Sequence, residues 1–221
     1  MELSVIQDAA MAEKALEFDR IAEEVFAPIY PVIASRLLEL AGIRQGRCLD
    51  IGCGGGHLGL AAAEGFQGTL ILLDVNPYAV AIADQRIPEK ARGWIHARWG
   101  DVHALPLRDA SVDLVLSRGA MWFWKKEASL TEIWRILAPG GAAILGGGYG
   151  TAQLKTAIYH HMSERNQEDF GEQQEKRTQG AAPEDYARIM ERLGMGVPRC
   201  IHEESGDWLL FRKPSGGREG P

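Results

Sequence analysis

Apolar residues recur with one spacing in the first forty residues and with another from about residue 45 onward. Residues 2–25 have apolar side chains at roughly helical intervals and predict an amphipathic helix. Pro28 and Pro31 are expected to interrupt it, because proline lacks a backbone N–H and clashes with the preceding turn. Residues 32–41 predict a second helix that ends at Gly42.

From residue 45 to 147, short apolar runs alternate with stretches of helical spacing. Predicted strands cover residues 47–51, 69–73, 94–97, 112–116 and 142–145, and predicted helices cover 57–64, 78–85 and 130–137. Strands that are apolar on both faces and separated by helices are typical of a parallel sheet buried between two helical layers. The sequence therefore predicts an α/β, Rossmann-like, doubly wound fold with helices on both faces.

The last third of the chain has a different pattern. Residues 148–180 are polar, with helical propensity but weak periodicity, and residues 183–193 predict a helix. Residues 199–204 and 208–213, joined by Ser205-Gly206-Asp207, predict an antiparallel hairpin at the edge of the sheet. The tail from residue 214 to 221 is expected to be disordered.

Composition narrows the possible partners. The chain has 221 residues, 30 acidic against 24 basic side chains and a net charge of −6, which argues against binding a nucleic-acid backbone. Cys48, Cys53 and Cys200 fit no zinc-ligand spacing, so neither a metal site nor a disulfide framework is expected. The first twenty residues lack the apolar core of a signal peptide, and no stretch approaches the roughly 20 apolar residues of a membrane span. A cytoplasmic protein is expected.

A glycine-rich turn follows the first predicted strand. The run Leu49-Asp50-Ile51-Gly52-Cys53-Gly54-Gly55-Gly56-His57-Leu58-Gly59 places glycines where the chain must turn sharply and let a ligand approach the backbone. Gly54, Gly56 and Gly59 also satisfy G-x-G-x-x-G, and Asp74 lies twenty residues after Gly54. This turn alone would equally fit a nicotinamide or flavin enzyme.

Asp50, two residues before the first glycine, distinguishes a ligand that carries a pyrophosphate from one that carries positive charge. A carboxylate there would repel a pyrophosphate, whereas a ligand with an ammonium and a sulfonium, such as S-adenosylmethionine, would be attracted to it. The alternative is a strand-end aspartate that only accepts hydrogen bonds from loop amides. Asp74 ends the next apolar strand and can accept from both hydroxyls of a ribose; its alternative role as a helix cap is better suited to Asn76.

Two further segments carry a family resemblance. Residues 100–106 read GDVHALP and are followed by the strand segment Asp113-Leu114-Val115, and residues 132–141 read EIWRILAPGG. With the glycine turn and Asp74, these segments resemble class I S-adenosylmethionine-dependent methyltransferases of the methyltransferase type 11 domain. The resemblance is nearest to the branch of ubiquinone and menaquinone biosynthesis C-methyltransferases, and it covers about residues 45–147 in the right order.

The resemblance implies a cofactor, S-adenosyl-L-methionine, and a product, S-adenosyl-L-homocysteine. It also implies transfer of the methyl group by in-line displacement to a small-molecule acceptor. One domain over residues 1–213 is expected: N-terminal helices in 1–44, a cofactor-binding core in 45–147, a lid insertion in 148–180, and a C-terminal helix and hairpin in 181–213.

The same resemblance implies roles for individual residues of the core. Gly52 and Gly54 would run past the methionine moiety, with Asp50 near its ammonium group. Asp74 would hold the ribose, Val75 would contact the adenine face, and Asp101 and Val102 would bond the adenine edge. The remaining predicted cofactor-binding residues are Cys53 in the turn, Ser117 and Arg118 at the end of the fourth strand, and Tyr30, which could close over the cofactor or simply pack.

The acceptor side is less determined by the sequence. Arg118 could bind an anionic acceptor or pair with a neighbouring carboxylate. Trp122, Phe123 and Trp124 could line the acceptor pocket, although at least one of the two tryptophans is expected to pack against the sheet. Candidate general bases are His103, His160, His161 and Tyr149, but no catalytic residue is assigned, because an acceptor that is already nucleophilic needs none.

Two other functions stay open at this point: an NAD(P)-dependent oxidoreductase on a Rossmann fold, and a non-catalytic cofactor-binding protein on the methyltransferase fold. The acceptor molecule and atom, the pathway and the oligomeric state do not follow from the sequence.

Overall fold

A computed structural model describes residues 2–215, with side chains from residue 8 onward. Its centre is a seven-stranded sheet with the order β3-β2-β1-β4-β5-β7-β6. The neighbouring pairs among β1–β5 are parallel, and β7 runs antiparallel to both β5 and β6. The strands are β1 Gln45–Ile51, β2 Gln67–Asp74, β3 Ile95–Trp99, β4 Val112–Arg118, β5 Leu137–Gly147, β6 Arg199–Glu203 and β7 Gly206–Arg212.

Eight α-helices surround this sheet in the described chain. They are α1 Glu2–Glu24, α2 Ile29–Ala41, α3 His57–Ala63, α4 Pro77–Arg86, α5 Lys126–Ile136, α6 Ala152–Asn166, α7 Phe170–Thr178 and α8 Pro183–Arg192. None of the helices between residues 2 and 215 combines the length and the apolar character needed to cross a membrane.

Successive residues of the central strands point to two separate apolar cores. In β1, Cys48 packs with the helices α2, α3 and α4, whereas its neighbour Leu49 packs with α5 and α8 on the other face. The same alternation in β4 sends Leu114 to the first core and Val115 to the second. The predicted α/β fold with a mostly parallel sheet, helices on both faces and a C-terminal hairpin is confirmed.

Several predicted boundaries were wrong, each for a local reason. Pro31 does not delay α2, which begins at Ile29, because a proline in the first turn of a helix gives up no intrahelical hydrogen bond. Helix α5 begins at Lys126 rather than residue 130. The turn of the hairpin is Glu204-Ser205, so β7 already begins at Gly206.

Residues 151–180, which showed only weak periodicity, form the two helices α6 and α7. Thr151 and Asp169 cap them by accepting hydrogen bonds from the N–H groups of Leu154 and Glu172. These helices bury few side chains, chiefly Ile158, Met162 and Phe170, all in the core that contains α2. Of the tail predicted to be disordered, residues 216–221 lie outside the described part of the chain.

Candidate active site

The glycine turn lies where β1 ends, between β2 and β4. Gly52, Gly54 and Gly56 have positive φ angles of 71°, 53° and 85°, a backbone region that side chains with a Cβ rarely adopt. The N–H groups of Gly52 and Cys53 both donate to the carbonyl of Leu73, at 2.8 and 3.1 Å, which ties the turn to the end of β2. A Cβ at Gly54 would meet no atom within 4 Å, so the turn faces open space at this residue.

Asp74 is bonded to the glycine turn. Its Oδ2 accepts a hydrogen bond from the N–H of Gly54 at 2.9 Å, and its Oδ1 accepts from the N–H of Asn76 at 2.8 Å. Asn76 in turn caps α4 by accepting from the N–H of Tyr78 at 3.0 Å, as the sequence predicted for it. The capping role is therefore filled by Asn76, which leaves the half-buried carboxylate of Asp74 at the mouth of the turn.

Asp50 lies beneath the turn and is only 1% exposed. Its Oδ2 accepts a hydrogen bond from the N–H of Gly59 at 2.9 Å, so the alternative role of binding a loop amide is present in the structure. Burial raises the pKa of Asp50 to about 7, with a smaller contribution from the negative charge of Asp74. A nearby cationic group would reverse part of that shift and favour the charged carboxylate. The predicted contact of Asp50 with an ammonium group stays a prediction.

The segment after β3 brings a third acidic group, Asp101, to the same edge of the sheet. Asp101 Oδ1 accepts hydrogen bonds from the N–H of His103 at 2.9 Å and from its ring Nδ1 at 2.5 Å. The backbone hydrogen bond from His103 is the main cause that lowers the pKa of Asp101, which stays charged. Val102 is buried, whereas Val75 is 56% exposed beside Asp74, and its carbonyl accepts a hydrogen bond from the indole N–H of Trp99 at 2.9 Å.

The segment EIWR of α5 fixes the loop after Asp101. Glu132 accepts a hydrogen bond from the N–H of Leu105 at 2.7 Å, and Arg135 donates to the carbonyls of Leu105 and Leu107 at 3.0 and 2.8 Å. Arg135 also forms an ion pair with Glu132 at 2.8 Å. These contacts give Glu132 and Arg135 a structural role, because they hold the loop against the sheet.

The end of β4 joins the turn from the other side. Ser117 is fully buried, and its hydroxyl donates to the carbonyl of Ile51 at 2.7 Å. Next to it, the side chain of Arg118 donates from Nε to the carbonyl of Gly148 at 2.9 Å. Its guanidinium carbon lies 5.2, 5.7 and 5.8 Å from the ring centres of Phe26, Tyr30 and Tyr149.

Tyr30 covers the start of α3. Its ring is stacked on His57 with centres 5.0 Å apart and an angle of 17° between the planes. Burial raises the pKa of its hydroxyl, so the phenol stays neutral. Tyr30 thus packs between the glycine turn and Arg118, which is compatible with both roles that the sequence left open.

An ion cluster that sequence reasoning missed joins α1 to the glycine turn. Asp19 accepts two hydrogen bonds from Arg86, at 2.9 and 3.0 Å, and one from His57 Nε2 at 2.9 Å, and Arg86 also donates to the carbonyl of Gly55 at 2.5 Å. Burial raises the pKa of Asp19, but the bonds from Arg86 and His57 outweigh it and hold the pKa below its usual value. Burial also lowers the pKa of His57, although the bond to Asp19 acts in the opposite direction.

No local sequence pattern marks this cluster, because its members are 38 and 67 residues apart. The only signal is Gly55 itself. A Cβ there would lie 1.9 Å from Asp19 Oδ1 and 2.4 Å from a guanidinium nitrogen of Arg86.

Comparison with known proteins decides the family. The profile of the methyltransferase-domain family, methyltransferase type 11, matches residues 49–145. A solved structure from Methanococcus maripaludis, of a protein assigned as an S-adenosyl-L-methionine-dependent methyltransferase, superposes with a TM-score of 0.86 at 32% identity and covers 94% of this chain and 95% of its own. The chain belongs to the class I S-adenosylmethionine-dependent methyltransferases.

Curated relatives in this methyltransferase family match shorter segments. A malonyl-[acyl-carrier protein] O-methyltransferase from Marinomonas sp. is 30% identical over 135 residues, which are 59% of this chain and 49% of the relative. A ubiquinone/menaquinone biosynthesis C-methyltransferase from Hydrogenovibrio crunogenus is 36% identical over 109 residues, 47% of this chain and 43% of the relative. The chain thus spans half or less of the curated relatives' length in these matches.

The groups around the turn fit the cofactor of this methyltransferase family. Two acidic side chains, Asp50 and Asp74, flank a turn that carries no basic side chain between Asp50 and Gly56, which suits a cationic nucleoside better than a pyrophosphate. The open space at Gly54 lies beside the carboxylate of Asp74, and the exposed side chain of Val75 adds an apolar surface at the same edge. The individual residue roles implied by the resemblance stay predictions.

Two of the four predicted base candidates, His103 and Tyr149, are engaged or poorly basic in this methyltransferase, and the other two lie on its surface. His103 donates from Nδ1 to Asp101 while its Nε2 accepts from the N–H of Lys125 at 2.9 Å, so its lone pair is occupied. His160 and His161 lie on an exposed face of α6. Burial raises the pKa of Tyr149 well above its usual value, which makes its phenol a poor base.

The aromatic run after β4 does not form a single wall. Trp122 and Trp124 both pack against the core that contains α5 and α8, which confirms the expectation that at least one tryptophan packs. Phe123 is 66% exposed. The aromatic rings that instead surround a charged group near the turn, Phe26 and Tyr149, come from distant segments and were not predicted to do so.

Proposed function

We propose that this chain binds S-adenosyl-L-methionine at the glycine turn and transfers its methyl group to a small-molecule acceptor. The position of Asp74 supports this proposal, because its carboxylate is bonded to the N–H of Gly54 at the open mouth of the turn. Such a carboxylate can accept hydrogen bonds from the two hydroxyls of a ribose. Membership of the methyltransferase family implies that the ribose belongs to S-adenosylmethionine. The resulting product is S-adenosyl-L-homocysteine.

When it is bound, the cofactor supplies an electrophilic methyl group, which passes to the acceptor by in-line displacement as the sulfonium loses its charge. The chain's own contribution is placement and exclusion of water. Asp50 and Asp74 would orient the amino-acid end and the ribose, while Tyr30 and helices α6 and α7 would cover the methyl acceptor. Alignment of this kind is worth roughly 7–11 kcal/mol in well-oriented reactions, more than the about 3–5 kcal/mol of acid–base assistance.

The engagement of His103 and the raised pKa of Tyr149 favour an acceptor that is nucleophilic without a base, such as a thiolate, a phenolate or a stabilised carbanion. His103 is locked by Asp101 and the N–H of Lys125, and it is the candidate nearest to the predicted adenine edge. A cytoplasmic setting and an acceptor of low molecular weight remain predictions from the sequence.

The test is release of S-adenosylhomocysteine from S-adenosylmethionine across a panel of thiols, phenols, quinols, carboxylic acids and amines. We expect release above the acceptor-free rate with at least one class, and loss of that release in an Asp74→Ala variant. Tight binding of S-adenosylhomocysteine with no release for any class would contradict the catalytic proposal. It would instead favour a non-catalytic cofactor-binding protein on the same fold.

A further inference from the structure

Arg118 is a cation without a carboxylate partner. Five arginines of the described chain are half-buried, and four of them, Arg36, Arg86, Arg135 and Arg165, each form an ion pair with an aspartate or glutamate. No carboxylate of residues 8–215 forms an ion pair with Arg118, whose side chain donates only to the carbonyl of Gly148 within that range. The sequence-based alternative that Arg118 pairs with a neighbouring carboxylate is therefore wrong for these residues.

The side chains around Arg118 shield its guanidinium from water but carry no negative charge. Phe26, Tyr30 and Tyr149 place their rings within 6 Å of its guanidinium carbon. Such cation–π contacts offset part of the cost of desolvation, but a half-buried guanidinium with free N–H donors still favours an anion. Its planar fork of donors matches the two oxygens of a carboxylate.

The anion has two possible sources, the carboxylate of the cofactor and a carboxylate of the acceptor. The position of the aromatic cage that Phe26, Tyr30 and Tyr149 form around Arg118 distinguishes them. Arg118 follows Ser117, whose hydroxyl is bonded to Ile51 just before the glycine turn, so the cage adjoins the predicted cofactor site. All three rings, however, lie outside residues 49–145, the part of the chain that matches the family profile. They come from the start of α2, the segment before it, and the segment after β5. Arg118 itself lies inside that part, so the cage combines a residue of the shared core with rings that the core does not supply. Rings from outside the core favour a role toward the acceptor, which differs between members, over the cofactor that they share.

We infer that Arg118 binds the carboxylate of an anionic methyl acceptor, whose apolar part lies against the rings of Phe26, Tyr30 and Tyr149. This inference rests on the proposed methyltransferase function and narrows its substrate class to small organic acids. The residue that the resemblance assigned to the cofactor thus becomes a specificity residue for the acceptor. Tyr159 and Phe170, which extend the aromatic cluster from Tyr149 at 5.3 Å steps between ring centres, would form the outer wall.

The probe pair is phenylacetate and phenylacetamide, which have the same ring and differ in charge. Each is titrated by calorimetry into the protein loaded with S-adenosylhomocysteine, and into the Arg118→Gln and Arg118→Lys variants. We expect the acid to bind the wild type at least tenfold more tightly than the amide, and this preference to be lost in Arg118→Gln and partly kept in Arg118→Lys. S-adenosylhomocysteine should bind all three proteins within about twofold, and equal melting temperatures would show that the variants fold.

Three results would overturn the inference: no binding of the acid, equal binding of acid and amide, or an acid preference that survives Arg118→Gln. A tenfold loss of S-adenosylhomocysteine affinity in Arg118→Gln would also overturn it, because the carboxylate bound by Arg118 would then be the cofactor's own. Failure of the proposed function looks different. In that case the wild type would either not bind S-adenosylhomocysteine or would release none of it from S-adenosylmethionine with any acceptor class, whereas the comparison of acid and amide could still be made on the protein itself.

Discussion

Asp74 Oδ2 accepts a hydrogen bond from the backbone N–H of Gly54 at 2.9 Å, which joins the end of β2 to the open side of the glycine turn. The second oxygen is bonded to the N–H of Asn76 at 2.8 Å. Each carboxylate oxygen still has lone-pair capacity for a further donor. The carboxylate is thus oriented by two backbone donors before any ligand binds, which is the arrangement that a ribose-binding group requires.

Replacing Asp74 by alanine removes the carboxylate that we propose accepts hydrogen bonds from the two ribose hydroxyls. We expect Asp74→Ala to weaken binding of S-adenosylhomocysteine by about 1.5–3 kcal/mol, or roughly 10- to 150-fold in Kd. Isothermal calorimetry measures this change. Asp84→Ala is a matched control, since Asp84 is an exposed aspartate on α4 that pairs with Arg92. An unchanged Kd for Asp74→Ala would remove this residue from the site.

The buried carboxyl of Asp50 should make cofactor affinity depend on pH. Its pKa is raised to about 7, so at pH 5.5 most molecules hold it neutral, and a cationic ligand must displace that proton. We expect the affinity for S-adenosylhomocysteine to rise about tenfold between pH 5.5 and 7.0, a window in which an α-amino group stays charged. The Asp50→Asn variant should show a nearly flat profile. A wild-type profile that is equally flat would contradict the contact of Asp50 with the ammonium group.

The raised pKa of Asp50 should also make the free energy of unfolding fall as pH rises, whereas the cofactor affinity rises. Because the folded state retains a proton that the unfolded chain has lost, stability falls as pH rises from the unfolded pKa near 3.8 to about 7. The slope is at most about 1.4 kcal/mol per pH unit for one group. We expect the free energy of unfolding of Asp50→Asn, relative to wild type, to increase across this window. Urea titrations at pH 5 and 7 measure it, and a constant difference would show that Asp50 is ionised throughout.

The cluster of Asp19, His57 and Arg86 should hold α1 on the glycine turn. We expect Asp19→Asn to speed backbone hydrogen exchange in α1 and in residues 52–57, because the paired guanidinium of Arg86 loses its carboxylate. Glu17→Gln, an exposed change on the same helix, is the control. Gly55→Ala should give the same pattern as Asp19→Asn, since its Cβ would lie 1.9 Å from Asp19 Oδ1. Unchanged exchange in both variants would show that the cluster does not fix the helix.

Much of the fold could be predicted because the central strands are buried on both faces. The buried parts of β1, β2, β4 and β5 are nearly continuous apolar runs. The strands from β1 to β5 were located to within a few residues, apart from the start of β5, although the edge strand β3 is only partly buried. Strand β5 begins at Leu137, before Pro139 and Gly140, where the sequence indicates a turn. Helices α6 and α7 were indistinct for the opposite reason: they bury so few side chains that little periodicity results.

The candidate site was predictable where its residues lie in one short segment. The glycine turn, Asp74 and the loop from Asp101 each have a local pattern, and the structure places all three at the same edge of the sheet. The cage around Arg118 and the cluster at Asp19 have no such pattern, because both form between segments far apart in the chain. Their members are ordinary aromatic and charged residues that acquire a role only through the packing of α1, α2 and the segment after β5.

We propose that this turn selects a cationic nucleoside over one that carries a pyrophosphate. The direct measurement is a calorimetric comparison of S-adenosylmethionine and S-adenosylhomocysteine with NAD⁺ and NADH, under one buffer at pH 7. We predict binding of the first pair with one site per chain, weakened in Asp74→Ala, and no measurable heat from either nicotinamide. Binding of NAD⁺ or NADH, with none for S-adenosylmethionine or S-adenosylhomocysteine, would show that the turn does not have this selectivity.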